Sequence, residues 1–304
     1  MDTETASTLR FFHYIPSKPL GIVGLIVFIV IALFLFVRIF RSKSRLFLYI
    51  LPCTAVAECI GYLIRALCSS GETTMGKYII MTMFLLLSPN ALALVNYKAL
   101  GEVIKLSNIE NAPFYLRPKF VTWFFFSSDI FSFLLQGSGG GMQTTAANAD
   151  LGKQITLVGL AIQLVFFAAF ILITVHVHRS PKYDYSIEGQ PNAKRNMMRC
   201  LYITLILLYV RSIYRIAEYA TGYDGVIARA EWAFYVFDGL AIAISFVFYS
   251  VLFMGNYLPK RNEVNGGGLV KRLSSESTSV DNLTHVDNGF EMRQTRDKYS
   301  SNNV

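Results

Sequence analysis

The sequence predicts an all-α integral membrane protein, a single seven-transmembrane-helix bundle with its N-terminus outside and its C-terminus in the cytoplasm. Three observations carry this expectation. The chain of 304 residues is 53% hydrophobic and only 16% charged, with a mean hydropathy of +0.43, which is too apolar for an ordinary soluble domain. Its apolar residues gather into seven runs long enough to cross a bilayer as helices. Lys and Arg alternate between rich and poor loops in step with those runs, as the positive-inside rule requires.

The first span, 21–37, is free of charge until Arg38. No small-residue cleavage site follows it; Arg38, Arg41, Lys43 and Arg45 follow instead, so it reads as an anchor rather than a signal peptide. The second, 46–67, carries Glu58, Gly61, Tyr62 and Arg65 at helical spacings. The third, 78–96, has Pro89 between Ser88 and Asn90, a residue expected to kink or locally unwind it. The fourth, 120–136, places Asp129, Ser132 and Gln136 on one face before a glycine run. The fifth, 155–177, has Gln163 as its strongly polar interior residue and is expected at the periphery with the first. The sixth and seventh, 197–218 and 231–253, flank the turn TGYDG, whose Gly and Asp suit a tight reversal.

Four basic residues follow span one, and Lys98, Lys105, Arg117 and Lys119 follow span three. The opposite side holds Arg10, Lys18, Lys77, Lys153 and Arg229. This asymmetry sets the expected orientation, with 1–20 as an outer segment, 21–259 as the transmembrane domain and 260–304 as a polar, disordered cytoplasmic tail. In that tail Lys271 and Arg272 precede Ser274 and Ser275, candidate phosphorylation sites whose modification would weaken attraction to anionic lipid. The sequon at Asn282 falls in the same tail and is expected to stay unglycosylated.

Ionisable residues inside spans are costly and tend to be functional. At 100° per residue Arg211, Tyr214, Arg215 and Glu218 share one arc of the sixth helix, as do Glu231, Tyr235 and Asp238 of the seventh. With Glu58, Tyr62 and Arg65 from span two and Asp129 and Gln136 from span four, they make a candidate substrate-binding cluster in the outer half of the bilayer. Five acids (Glu58, Asp129, Glu218, Glu231, Asp238) face three arginines (Arg65, Arg211, Arg215), an excess that favours a cationic or zwitterionic head group. At least one arginine–acid contact between helices is expected, because a lone buried charge is not tolerated. The competing reading is that these residues only glue helices together.

Other functions fit less well because of what is missing, though a divergent receptor stays open. The net charge of +8 sits beside apolar spans, where it contacts lipid rather than nucleic acid. The last span has no Lys for a retinal Schiff base, and the receptor-like Asn-Pro motif is absent from AISFVFYSVLF. His176 and His178 lie at one helix end with no second pair to hold haem. Cys53, Cys59, Cys68 and Cys200 show neither metal-ligand spacing nor a disulfide framework. With no Ser-His or metal constellation at depth and no phosphate-binding Gly-Lys-Ser/Thr loop, neither an enzyme nor a cofactor is expected.

Six pieces in order, FFHYIPSKP, ECIGYLIRAL, SSDIFSFLLQGSGGGM, RSIYRIAEYATGYDG, EWAFYVFDGL and GNYLP, resemble the fungal lipid-translocating exporters. Span three, LLLSPNALALVNYKALGEVI, departs from that family's usual Ala-Pro and Gly-Arg pattern. The resemblance implies a seven-helix protein of the plasma membrane or endomembranes. It also implies movement of amphipathic lipids, such as sphingoid bases or phospholipids, or tolerance of sterol-like toxicants. A seven-helix lipid or stress sensor that carries no cargo is the alternative.

Overall fold

The computed structural model describes residues 17–42, 44–69, 73–107, 113–143, 148–183, 192–221 and 230–258. The TGYDG turn beyond Thr221, most of the outer segment 1–20, and the tail with Ser274 and Ser275 lie outside them. Seven helices follow the seven apolar runs, each long and apolar enough to cross a membrane. They are α1 (Lys18–Ser42), α2 (Ile50–Cys68, entered through a 3-10 turn at Leu46–Tyr49), α3 (Met75–Leu106), α4 (Pro118–Met142), α5 (Ala149–Arg179), α6 (Ala193–Thr221) and α7. The last is one rod of three pieces, Glu231–Ala233, a π-helical Phe234–Leu240, and Ala241–Val251.

Each helix packs on its neighbour in sequence, α7 returns to touch α1, and α3 reaches α6 across the bundle. The most apolar stretch of α1 is 22% buried against protein and that of α5 28%, as expected for peripheral helices. The same figure for α4 is 28%, whereas α2 and α3 reach 56% and 50%. The most buried helices are therefore α2 and α3 with α6 and α7, and span four is as peripheral as span five, although its Asp129, Ser132 and Gln136 point inward and are buried. Outward-facing Val30, Phe40, Trp123, Val165 and Leu172 give these outer helices the apolar coat that lipid requires.

Most spans run past their expected ends, and at the C-terminal end α3 and α4 do so furthest. Helix α3 is unbroken from Met75 to Leu106 with Pro89 inside it, so of the kink or local unwinding expected at Pro89 the unwinding does not occur. Helix α4 continues through the glycine run to Met142. Gly139 and Gly152 explain why: a Cβ at either would collide with backbone of the other's helix, so α4 and α5 meet through their main chains, as small residues allow in membranes. Gly140 and Gly141, by contrast, have open space around them. At the opposite end of the bundle Arg45 pairs with Glu102 at 2.6 Å, fixing the α1–α2 turn against α3.

Candidate functional site: a buried ion cluster between α2, α6 and α7

Arg211 and Arg215 stand one turn apart on α6 and both reach Asp238 of α7. Arg215 binds it with two hydrogen bonds, Nε to Oδ1 at 3.1 Å and Nη2 to Oδ2 at 3.0 Å, the fork geometry that a guanidinium offers a carboxylate. Arg211 Nε lies 2.7 Å from the same Oδ1. Arg215 Nη1 also donates to Glu218 Oε2 at 3.1 Å, three residues along α6. Asp238 is 1% exposed, Arg211 3% and Arg215 6%. The interhelical arginine–acid contact expected from the sequence is present.

Local backbone features place these groups. Asp238 lies in the π-helical segment, a wide turn that re-aims side chains and recurs at functional sites. Gly239 follows it, and a Cβ there would meet the Tyr62 hydroxyl, so α2 approaches α7 where the carboxylate is presented. Pro89 has no N–H, which leaves the carbonyl of Leu85, four residues back, without its helical donor. Arg211 Nη2 donates to that oxygen at 3.1 Å.

A second layer lies toward the Glu231 end. Arg65 donates from Nε to Tyr235 Oη at 3.0 Å and from Nη2 to Glu231 Oε1 at 3.4 Å. Its guanidinium carbon sits 4.3 Å from the Phe234 ring centre, with that of Arg215 5.7 Å from the same ring, so one aromatic ring links both layers through cation–π attraction. Glu231 also accepts from Ser17, the backbone N–H at 2.8 Å and the hydroxyl at 2.7 Å. The acid thus holds the N-terminus of α1, where the helix dipole favours negative charge. Tyr62 stacks on Phe28 of α1 at 5.3 Å, and Tyr214 stacks on Phe237 at 5.4 Å.

Glu58 differs from the rest. It is 1% exposed, and neither carboxylate oxygen meets a hydrogen-bond partner among the described residues. Its electrostatic neighbours are Asp238, Arg211 and Arg215, with the Ser88 hydroxyl beside it.

Asp129 and Gln136 go elsewhere. Tyr97 of α3 donates to Asp129 Oδ2 at 2.8 Å, while Gln136 donates to Gln163 at 2.8 Å and Gln163 to Asn90 at 2.6 Å. These contacts join α3, α4 and α5. Asp129 and Gln136, expected in one cluster with the arginines, contact Tyr97 and Gln163 instead: α4 packs between α3 and α5, so its polar face looks at them, and periodicity names a face without naming its neighbour. Sequence reasoning also passed over Ser17, Tyr97 and Phe234. It missed Asn96 too, which accepts from Tyr249 at 2.8 Å and Thr204 at 3.2 Å. Asn90 and Asn96 were visible as amides within an apolar run, the one signal that could have marked them.

With Asp129 removed, the cluster holds four acids and three arginines. Arg65 pairs with Glu231, Arg215 with Glu218 and Arg211 with Asp238, and Glu58 is left over. All four cysteines are free. Among the described residues no group of three His, Cys, Asp or Glu is placed to hold a metal ion.

The family model described as RTA1 like protein matches residues 51–261. Protein RTA1 of Saccharomyces cerevisiae is 34% identical over 197 residues, 64% of this chain and 62% of that protein. Protoporphyrin uptake protein 1 of the same species is 29% identical over 296 residues, 84% of this chain and 95% of that protein. The sphingoid long-chain base transporter RSB1 of S. cerevisiae is 23% identical over 241 residues, 67% of this chain and 63% of that protein. The chain therefore spans less than two thirds of the length of RTA1 and RSB1. No solved structure matches it. The family model covers helices α2 to α7 and every member of the ion cluster except Ser17, and the chain belongs to the RTA1-like family.

Proposed function

We propose that this chain moves amphipathic lipids with a cationic head group, such as sphingoid bases, between the leaflets of a membrane and so confers tolerance of them. The observation that carries this reading is the ion cluster, in which three arginine–acid pairs leave Glu58 without a counter-ion. A buried carboxyl without a partner is a costly feature that a cationic ligand would relieve. The name of the RSB1 relative, a sphingoid base transporter, agrees with such a cargo.

In this proposal Glu58, Arg211, Arg215, Glu218 and Asp238 receive the head group, with Tyr62 and Tyr214 as its walls. Arg65, Glu231 and Tyr235 form the rim toward the entrance. The acyl chain stays between helices in the apolar region. Asp129 and Gln136 hold α4 and α5 on α3 and act on the cargo path through that packing. The N-terminus faces outward, which places the cluster in the outer half of the membrane, and the membrane is the plasma membrane.

Purified protein in liposomes tests the proposal. A fluorescent sphingoid base should cross between leaflets faster than in empty liposomes, without nucleotide. A sensor that carries no cargo would leave the rate unchanged.

A further inference from the structure

We propose that Glu58 is a proton-binding site: it holds a proton in the cargo-free protein and exchanges it for a cationic head group. The inference rests on the cationic-cargo reading above. Its own basis is geometric. Glu58 lies at 1% exposure in the middle of α2, and neither of its oxygens accepts a hydrogen bond among the described residues. The Ser88 hydroxyl beside it makes no hydrogen bond to it of good geometry, and a carboxylate so poorly solvated tends to neutralise instead.

The arginines beside it are already engaged by other acids. From α6 Arg211 and Arg215 face Glu58, and from α7 Asp238 does. Both arginines already serve Asp238, and Arg215 serves Glu218 as well. On α2 itself the titratable neighbours are Cys59 and Tyr62, with Arg65 engaged by Glu231 and Tyr235. Helix α3 contributes the Ser88 hydroxyl, and α1 has no titratable residue between Lys18 and Arg38. Arg211 and Arg215 are matched by Asp238, which faces Glu58, and by Glu218, which pairs with Arg215 further along α6; over that set an added proton on Glu58 keeps the cluster neutral and an added carboxylate charge does not.

The exchange conserves charge and atoms. Glu58 gives its proton to water, the carboxylate that remains pairs with the ammonium of the cargo, and the cluster is neutral before and after. Departure of the amine lets a proton return. A pH difference across the membrane would then drive the cargo without nucleotide.

Two measurements on the purified full chain test this. Infrared spectra of the cargo-free protein at neutral pH should contain a carboxylic-acid carbonyl band that moves on ¹³C labelling of glutamate and disappears in Glu58→Gln. The isotope label identifies a glutamate even where that variant does not fold. Binding of a short-chain sphingoid base, over a pH range where its amine stays charged, should release about one proton per molecule bound. Its Kd should fall about tenfold for each unit rise in pH, the slope of a one-proton exchange. Absence of the acid band overturns the proposal. So does amine binding with a flat pH profile and no proton release, a result that leaves the transport reading standing. Failure of the amine to bind at any pH removes the transport reading and the exchange with it.

Discussion

Arg211 does two things at once. It neutralises Asp238 and supplies the donor that Leu85 lacks because residue 89 is proline. Removing one partner of a buried pair costs about 3–5 kcal/mol, so Arg211→Ala should lower the yield of folded protein sharply. The carbonyl adds a distinguishable part. In a Pro89→Ala background the new N–H can bond Leu85 O, and the cost of Arg211→Ala should shrink by roughly 1 kcal/mol, the net worth of one hydrogen bond. A double-mutant cycle of thermal unfolding in detergent reads this coupling. Strictly additive effects would mean that the two residues do not share the carbonyl. The arginine and the proline were each legible in the sequence as oddities within apolar runs. Their meeting was not, because it depends on α3 crossing to α6, and no local pattern records which helices become neighbours.

At the scale of elements, the helix count and most of the polar faces followed from hydropathy and periodicity, but the ends of α4 and the inside of α7 did not. Glycine costs a helix about 1 kcal/mol relative to alanine, so GSGGGM reads locally as a helix end; contact with α5 reverses that. The run therefore contains two kinds of glycine. Gly139→Ala pushes a methyl into Gly152 and Thr156 and should lower Tm and expression. Gly140→Ala meets nothing within 4 Å and should leave Tm unchanged or raise it. Thermal shift assays of the two variants side by side check the α4–α5 seam, and equal behaviour would disprove it. The π turn of α7 has no such compositional mark. FYVFDGL reads as ordinary helix, and the wide turn there, with Tyr62 close against Gly239, is seen only in three dimensions.

Among the described residues the polar interior of the bundle holds two larger networks, besides the smaller contact of Asn96 with Thr204 and Tyr249. One, between α2, α6 and α7, is charged; the other, between α3, α4 and α5, joins Asn90, Gln163 and Gln136 by neutral amides, with Asp129 bonded to Tyr97. If cargo meets the charged side alone, matched substitutions on the two sides should differ in kind. Asp238→Asn should reduce growth on a toxic sphingoid base more than growth on an uncharged toxic lipid, because it alters the field that an ammonium meets at close range, where screening is weak. Asp129→Asn should reduce both equally, through folding. The comparison uses cells with matched surface expression, scoring the ratio of the two tolerances rather than either alone. Equal losses in Asp238→Asn would assign that residue to folding as well. A cation-selective loss in Asp129→Asn would draw the second network into the path of the cargo.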